Sequence, residues 1–293
     1  MNQLAIVNRC SGGIQSRRQL HALLDEVARV ASETVFTEYA GHARELAAKA
    51  EAFDRLIVVG GDGTLLEALN GADLRRQNVA VIPTGRGNSL ARDLGLYPIR
   101  ASLDALRSNH TSRIDLMEVS FEDGSGQPHQ RLCGSTVALG YPAAVVRLAG
   151  TRFRRLGVYC YAAAGACTKP AAVRMKLLER NEPPVEKDLT GWVANNTRHL
   201  ANFVALPKAC CHDGHFDVME MSGGRFGQTL HNISALSKLG FYPVTVRPMI
   251  AITLQMNEPH DLILDGELIA GVVSVHVAIR PAAADFVCQQ RHI

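Results

Sequence analysis

The sequence predicts an α/β fold that begins with a parallel-sheet domain and continues into a mainly β, sandwich-like domain. Short apolar runs alternate with amphipathic segments through residues 1–117, which is the pattern of a parallel sheet covered by helices. Residues 118–293 consist instead of strand-like pieces between turn clusters. We place the domain boundary near residue 117 and allow the last residues of the chain to return to the first domain.

The elements of the first domain follow from the spacing of its apolar residues. Strands are predicted at residues 4–7, 35–36, 56–59, 79–82 and 114–116. Between them, apolar residues recur at the spacing of one helical face at Leu20, Leu23, Leu24, Val27 and Val30, and again at Ala43, Leu46, Ala47 and Ala50. This alternation favours parallel strands joined by helices.

The second domain is predicted from period-two patterns and turn residues. Val173, Met175 and Leu177 alternate as in a strand that is buried on one face. Further strands are expected at residues 199–205, 216–221, 249–255 and 272–279, with turns at 123–126 and 182–184. Helices are expected at residues 142–146 and 225–239.

Composition excludes several classes of protein. A formal net charge of +3 on 293 residues lacks the dense basic clusters of a nucleic-acid-binding protein. No secretion signal is recognised, and the apolar stretch at residues 157–167 is about half of the ~20 residues that span a bilayer. Any membrane contact is therefore expected to be peripheral. The seven cysteines show no paired spacing, which is typical of a reducing cytoplasm.

The strongest local signal follows the third predicted strand. It consists of Gly60, Gly61, Asp62, Gly63 and Thr64, after which Leu65 and Leu66 can continue as a helix. Glycines let the backbone approach a phosphate, and a helix amino terminus offers it unpaired N–H groups. Since the carboxylate of Asp62 would repel phosphate, its presence suggests Mg²⁺ or a bound hydroxyl donor. The simpler alternative is a βα turn in which Asp62 is a helix cap.

A second glycine-rich loop follows the fourth predicted strand. It contains Pro83, Thr84, Gly85, Arg86, Gly87, Asn88 and Ser89. Ligands of open parallel sheets bind at the carboxyl ends of the strands, so both loops can wrap one nucleotide. Arg86 is then expected on its phosphates, although a solvated loop cation is the alternative. The first strand runs similarly into Asn8 and a glycine pair at residues 12–13.

Together these segments resemble the diacylglycerol kinase catalytic family, which includes bacterial lipid kinases and sphingosine kinases. The resemblance rests on GGDGT at residues 60–64 with the Glu67 and Asn70-Gly71 that follow, and on GRGN at residues 85–88, which is similar to the GSGN of sphingosine kinases. Thr37 is similar to the family's nucleotide-side threonine. The resemblance implies an ATP site formed by Asn8, Thr37, Gly60, Gly61, Asp62, Gly63, Thr64, Leu65, Leu66, Gly85, Arg86, Gly87 and Asn88.

Later segments extend the resemblance. Residues 156–161 are similar to the family's LGxxAY segment, Asn195 to the asparagine that opens its next strand, and residues 213–217 to its DGxLD motif. Residues 265–267 are similar to its late DGE motif, whose glutamate is regarded as the proton acceptor for the lipid hydroxyl. The resemblance thus implies a catalytic set of Glu267, Asp265 and Asp62.

A metal site is carried over by the same resemblance. It would fall on Cys210, Asp213 and His215, chiefly through backbone carbonyl groups. A separate zinc site at the cluster of cysteines and histidines in residues 210–215 is the alternative. Three residues depart from the family pattern: Arg9 stands for a proline, Arg86 for a threonine, and Ser89 for an aspartate linked to a Mg²⁺ network.

The implied function is ATP- and Mg²⁺-dependent transfer of a phosphoryl group to a lipid hydroxyl, in lipid metabolism or phospholipid biosynthesis. Diacylglycerol, sphingosine-like bases and phosphatidylglycerol all remain open as acceptors, and a homodimer is allowed. The alternatives are a phosphotransferase like NAD kinase or phosphofructokinase, and a nucleotide-binding regulator without catalysis. Transient membrane contact, or else a solvated helix face, is expected at the basic residues Arg147, Arg152, Arg154 and Arg155 beside Leu148, Phe153 and Leu156.

Overall fold

The computed structural model describes residues 1–12, 17–149, 173–180, 182–200, 203–206, 208–222 and 245–289. The chain divides into two compact units, one of residues 1–116 and 281–293 and one of residues 117–280. The segment at residues 156–161 and the helix predicted at residues 225–239 lie outside the described residues. Among the described residues, no helix has both the length and the apolar character needed to cross a membrane.

In chain order, the described residues first form β1 (Gln3–Val7), α1 (Arg17–Ala28), β2 (Glu33–Phe36), α2 (His42–Ala48), β3 (Arg55–Gly60), α3 (Asp62–Leu69), β4 (Asn78–Pro83), α4 (Ser89–Asp93) and α5 (Ile99–Ser108). The chain continues through β5 (Thr111–Asp123), β6 (Pro128–Cys133), β7 (Thr136–Gly140), α6 (Tyr141–Ala149), β8 (Val173–Leu178), β9 (Val185–Leu189) and β10 (Gly191–Asn195). It ends with β11 (His199–Leu200), β12 (Phe203–Ala205), β13 (Phe216–Met221), β14 (Thr245–Met249), β15 (Ala251–Leu264) and β16 (Glu267–Val287).

The first unit is built on parallel strands in the order β4-β3-β1-β2. The end of β16 joins β4, also in parallel, where Phe286 lies opposite Val79. β3 is buried along its whole length, as expected for a parallel strand with helices on both faces. The carboxyl ends of β1 to β4 consequently lie at one edge of the sheet, where the two glycine-rich loops begin.

The predicted α/β class is confirmed, with small differences in the helices. The two predicted helical faces run past the observed ends of α1 and α2, because Val30 and Ala50 lie in turns that bond back to Val27 and Ala47. Helix α5 was missed, although Leu103 and Leu106 repeat at helical spacing in it. Helix α2 packs on α3, and α4 and α5 pack on β4.

The second unit is mainly β, as predicted. Its strands follow the order β14-β13-β10-β7-β15-β16 in antiparallel pairs, and β8 and β9 extend from β15. Helix α6 covers one face, where Tyr141 and Val145 join a buried cluster with Val193, Met219 and Ile263. This core holds the sheet that carries β7 and the hairpin between β15 and β16.

Two predicted strands of the second unit were wrong in their extent. Residues 249–255 divide between β14 and β15, because the chain turns at Ile250, shortly after Pro248, which has no N–H for the strand ladder. The strand predicted at residues 199–205 is instead two antiparallel strands, β11 and β12. Strands β6, β7, β9 and β10 were not predicted. For β7 and β10 the reason is that both are buried along their whole length and lack a period-two pattern.

Candidate functional site

Three backbone hydrogen bonds join the four strand ends of β1 to β4 just beyond the regular sheet. The N–H of Asn8 donates to the carbonyl of Val59, that of Thr37 to Val7, and that of Thr84 to Gly60, each over 2.9 Å. The loops that follow β1 to β4 therefore start side by side. This places the predicted residues Asn8, Thr37 and Gly61, together with Thr84, along one edge of the sheet.

In the GGDGT segment, β3 ends at Gly60, Gly61 is extended, and α3 begins directly after it. Gly61 has φ −100° and ψ −171° and precedes α3, which begins at Asp62. Because Gly61 offers no side-chain cap to α3, that helix start can receive an anion. Gly63 is exposed, and a Cβ there would meet nothing within 4 Å.

The side chains of Leu65 and Leu66, the next two predicted residues, pack in the hydrophobic core. Leu65 and Leu66 are both buried. The N–H of Leu65 donates to the carbonyl of Gly61 over 3.0 Å, which is the first bond of the helix. Any contact of these residues with a ligand would have to come through the backbone.

The two glycine-rich loops touch each other through their backbones. A Cβ on Gly85 would lie 2.3 Å from the Cα of Gly61, and one on Gly61 would lie 2.9 Å from the Cα of Gly85. The side chain of Asn88 holds the second loop in shape, since its Oδ1 accepts the N–H of Gly85 over 3.0 Å and its Nδ2 donates to the carbonyl of Gly85 over 2.8 Å. Only glycine fits both contact positions.

Asp62 connects the same two loops. Its carboxylate accepts the backbone N–H of Asn88 over 2.7 Å and that of Ser89 over 2.8 Å. These N–H groups stand at the start of α4, so Asp62 stabilises the amino terminus of a helix other than its own. The capping alternative was therefore correct in kind, though for α4 rather than α3. A further role of Asp62 toward Mg²⁺ or a hydroxyl stays a prediction.

The first loop, which follows β1, is attached to the GGDGT segment through Asn8. Its Nδ2 donates to Oγ1 of Thr64 over 2.9 Å, and its Oδ1 accepts the N–H of Cys10 over 2.9 Å. Gly60 leaves room for this arrangement, because a Cβ there would lie 2.5 Å from the Cβ of Thr64. The loops after β1, β3 and β4 thus form one connected cradle of Asn8, Gly60–Thr64 and Gly85–Ser89.

The later part of the signature holds helices rather than a ligand. Glu67 accepts the N–H of Ala43 over 3.1 Å and so caps α2. A Cβ on Gly71 would lie 2.1 Å from the carbonyl oxygen of Arg44, which means that only glycine lets the chain pass α2 at this distance. Sequence reasoning could not assign these roles, since the partners lie on different elements.

Two further side chains of the second loop have distinct surroundings. Arg86 is exposed, and its guanidinium lies over the first loop, where a Cβ on Gly12 would be 2.6 Å from its Nε. The carbonyl of Gly87 accepts Nε–H of Arg92 over 2.9 Å. Thr84, which the sequence analysis left out of the ligand set, is 1% exposed and its hydroxyl has no hydrogen-bond partner among the described residues. A buried unpaired hydroxyl is costly, which marks Thr84 as a candidate ligand contact.

In the second unit, the DGE motif is a tight hairpin between β15 and β16. Leu264 pairs with Glu267, and the two residues between them, Asp265 and Gly266, have φ of 46° and 89°. Positive φ at both central residues is the requirement of a type I′ turn, for which Asp-Gly is a preferred sequence. The turn fixes the start of β16 and with it the backbone of Glu267.

The carboxylate of Asp265 is buried and anchors the connection between β6 and β7. It accepts N–H groups from Gly134 over 2.7 Å and from Ser135 and Thr136 over 2.8 Å, and the hydroxyl of Ser135 over 2.6 Å. Burial, followed by the adjacent charge of Asp265, raises the pKa of the Cys133 thiol well above its usual value. Asp265 is thus a structural anchor here, and its help to a catalytic base stays a prediction.

Glu267 is accessible and paired with a cation. Its side chain is 41% exposed, and Nη1 of Arg131 donates to both carboxylate oxygens over 2.9 Å. Arg131 has no signal in the sequence, because nothing in a single sequence connects positions on β6 and β16. The pair gives the carboxylate a defined orientation at the beginning of β16.

The metal-site prediction rests on backbone groups that the structure leaves untested. Asp213 and His215 are exposed, and the ring Nδ1 of His215 lies 2.8 Å from the carbonyl oxygen of Asp213. Cys210 is half-buried. Within the described ranges, no group of three or more His, Cys, Asp or Glu side chains could hold a metal ion. Burial raises the pKa of the nearby Asp217, with the charge of Asp213 adding to the effect.

Two other predicted features, Asn195 and the basic segment that begins at Arg147, belong to the second unit. Asn195 is buried at the end of β10, where it accepts a hydrogen bond from Thr136 and donates one to the carbonyl of Thr197. Of the basic residues proposed for membrane contact, Arg147 is described, and its guanidinium is paired with Asp261. Residues 152–155 lie outside the described part of the chain.

Comparison with known proteins finds similarity to lipid kinases. Residues 2–119 match the sequence model of the Diacylglycerol kinase catalytic domain. Sphingoid long-chain bases kinase 1 of Arabidopsis thaliana is 34% identical over 179 residues, which make up 55% of this chain but only 23% of the plant protein. A diacylglycerol kinase of Staphylococcus haemolyticus is 26% identical over 243 residues, covering 80% of this chain and 71% of its own length. Residues 2–119 of the chain thus match the diacylglycerol kinase catalytic family, a family of lipid kinases.

Solved structures share the fold. A candidate diacylglycerol kinase from Bacillus anthracis str. Sterne aligns with a TM-score of 0.80 at 19% identity, covering 98% of this chain and 95% of that one. An NAD kinase from Archaeoglobus fulgidus in complex with ATP aligns with a TM-score of 0.52 at 14% identity, covering 97% and 93%. At such identities the likeness concerns the fold alone.

We expect Gly85→Ala to lower the free energy of unfolding by about 1–3 kcal/mol, because the added methyl group meets the backbone of Gly61. Gly63→Ala is the matched control, since a Cβ there meets nothing within 4 Å, and its effect should stay within about 0.5 kcal/mol. Urea unfolding followed by circular dichroism measures both. Equal stability of the two variants would contradict the close contact of the loops.

We expect Asp62→Ala to remain folded but to lose turnover, because the N–H groups of Asn88 and Ser89 lose their acceptor and the second loop loses its fixed position. The free energy of unfolding should fall by about 1–3 kcal/mol. ATP consumption and thermal unfolding are the measurements. A folded variant with wild-type activity would show that Asp62 is dispensable.

Proposed function

We propose that the protein is an ATP-dependent lipid kinase that transfers the γ-phosphoryl group of ATP to the hydroxyl of a diacylglycerol- or sphingosine-like lipid. The observation that carries the proposal is the interlocked cradle of Gly60–Thr64 and Gly85–Ser89 at the carboxyl ends of β3 and β4. Such a position in a parallel sheet is where nucleotides bind. The match of residues 2–119 to the Diacylglycerol kinase catalytic domain supports a lipid as the class of acceptor.

The cradle would bind the phosphates of ATP through its backbone. The amino terminus of α3 and the open side of Gly63 provide N–H groups that no side chain obstructs. Arg86, exposed beside the first loop, supplies a positive charge that can pair with phosphate oxygens. The buried hydroxyl of Thr84 is a fourth candidate contact, because a bound ligand would give it the partner that the described residues do not.

We assign Mg²⁺ to the nucleotide rather than to a resident site. In nucleotide sites the ion is held mainly by phosphates and water, with one or two carboxylates, and it neutralises the charge that develops on the transferred group. Asp62 supplies the carboxylate of the cradle that would contact this ion. Two backbone N–H groups already donate hydrogen bonds to it.

The chemistry left to the protein is orientation and removal of one proton. The lipid oxygen attacks the γ-phosphorus while the bond to the β–γ bridging oxygen breaks, and ADP leaves. We propose Glu267 as the group that takes the hydroxyl proton. Its carboxylate is accessible, and its pairing with Arg131 fixes the orientation of the side chain. The Asp265-Gly266 turn fixes its backbone. Asp265 itself is engaged by N–H groups of residues 134–136 and acts as a positioning residue.

A phosphotransferase like NAD kinase or phosphofructokinase is the first alternative. The ATP-bound NAD kinase of Archaeoglobus fulgidus shares the fold over 97% of this chain. A nucleotide-binding regulator without catalysis is the other alternative. The acceptor distinguishes the first from a lipid kinase, and turnover distinguishes the second.

The decisive experiment incubates the protein with [γ-³²P]ATP, Mg²⁺ and separate acceptors. Diacylglycerol, sphingosine and phosphatidylglycerol are presented in mixed micelles, and NAD is tested in solution. We expect label in one lipid product and none in NAD, with loss of labelling in excess chelator. Labelled NADP would identify the alternative, and the absence of any labelled product would defeat the proposal.

We expect Glu267→Gln to lower kcat by roughly 10²-fold or more with little change in ATP affinity, as for a lost general base. Arg131→Lys is the companion variant, because it keeps the charge beside Glu267 but cannot reproduce the guanidinium geometry. Its effect on kcat should be smaller. If Glu267→Gln instead abolished ATP binding and left kcat normal, Glu267 would belong to the nucleotide site.

A further inference from the structure

The carboxyl end of β2 carries a pair of stacked rings that the proposed mechanism does not use. The rings of Tyr39 and His42 lie 4.5 Å apart between centroids at an interplanar angle of 4°. Tyr39 is nevertheless 54% exposed. Since His42 covers only one face of the tyrosine ring, an aromatic surface remains open to solvent.

Hydrogen bonds hold this ring pair in place. The N–H of Glu38 donates to Nδ1 of His42 over 3.1 Å, and the hydroxyl of Tyr39 donates to Oε2 of Glu45 over 2.9 Å. His42 is also the first residue of α2 and follows Gly41, which has φ 91°. The hydrogen bond to Glu45 raises the pKa of Tyr39, so the phenol stays neutral. The rings are therefore fixed before any ligand arrives.

The ring pair lies at the same sheet edge as the cradle. Thr37, two residues before Tyr39, bonds to the end of β1 through its N–H. Next to it, the guanidinium of Arg9 lies 3.5 Å from the ring centroid of Phe36, which places a second planar stack between β1 and β2. The loop after β1 is tied to α3 by Asn8 and Thr64. The aromatic surface thus stands to one side of the phosphate cradle, within the same unit.

We propose that Tyr39 binds the base of the nucleotide by stacking on its open face, while the cradle holds the phosphates. This inference rests on the proposed function and adds a base-recognition residue to it. Stacking on an aromatic ring tolerates every base, because each base has a π face. A bare triphosphate, which has no base, gains nothing from the ring.

The test compares ATP with inorganic triphosphate. Binding of both is measured by calorimetry, each with Mg²⁺, for the wild-type protein and for Tyr39→Ala, Tyr39→Leu and Tyr39→Phe. We expect Tyr39→Ala and Tyr39→Leu to raise the Kd of ATP roughly 10-fold and to leave the Kd of triphosphate unchanged. Tyr39→Phe keeps the ring and should bind both ligands as the wild type does.

Each other result has a defined meaning. An unchanged ATP affinity of Tyr39→Ala and Tyr39→Leu would overturn the inference, and so would an equal weakening of ATP and triphosphate, which indicates a role in loop structure only. If the wild-type protein bound ATP no more tightly than triphosphate, the stacking role would fail while the phosphate cradle stood. If it bound neither ligand, the proposed function would fail and this inference with it.

Discussion

The contact between Gly61 and Gly85 is the constraint on which the rest of the first unit depends. It brings the loops after β3 and β4 to van der Waals distance, and this places the N–H groups of Asn88 and Ser89 within reach of Asp62. Asn8 then adds the loop after β1. A phosphate site made of backbone requires such proximity, since N–H groups have no flexible side chain with which to reach a ligand.

The two motifs that carry an aspartate beside glycine use it in the same physical way. In each unit, a carboxylate accepts several backbone N–H groups and thereby fixes a loop that begins or ends a strand: Asp62 does so for α4, and Asp265 for the connection between β6 and β7. Charge-assisted bonds of this kind are stronger than neutral ones. Glu267 and Arg86, by contrast, have charged atoms that are accessible to solvent.

Sequence reasoning located the fold and the loops because their signals are local. The apolar runs of β1, β3 and β4 and the glycines after them lie within a few positions of each other, so their geometry follows from chain connectivity. The roles of Glu67 and Arg131 could not be found this way, since each depends on a partner on another element. Strands β7 and β10 were missed because full burial removes the alternation that marks a half-buried strand.

The glycine pair also has an evolutionary consequence. Because a side chain at either position meets the main chain of the other, neither can be replaced first while the loops keep their separation. The order of substitutions is therefore restricted, because the two loops must move apart before residue 61 or residue 85 can carry a side chain. Loops that have moved apart no longer bring Asp62 to α4. Main-chain packing alone therefore leaves few substitutions at these two positions that keep both loops in place.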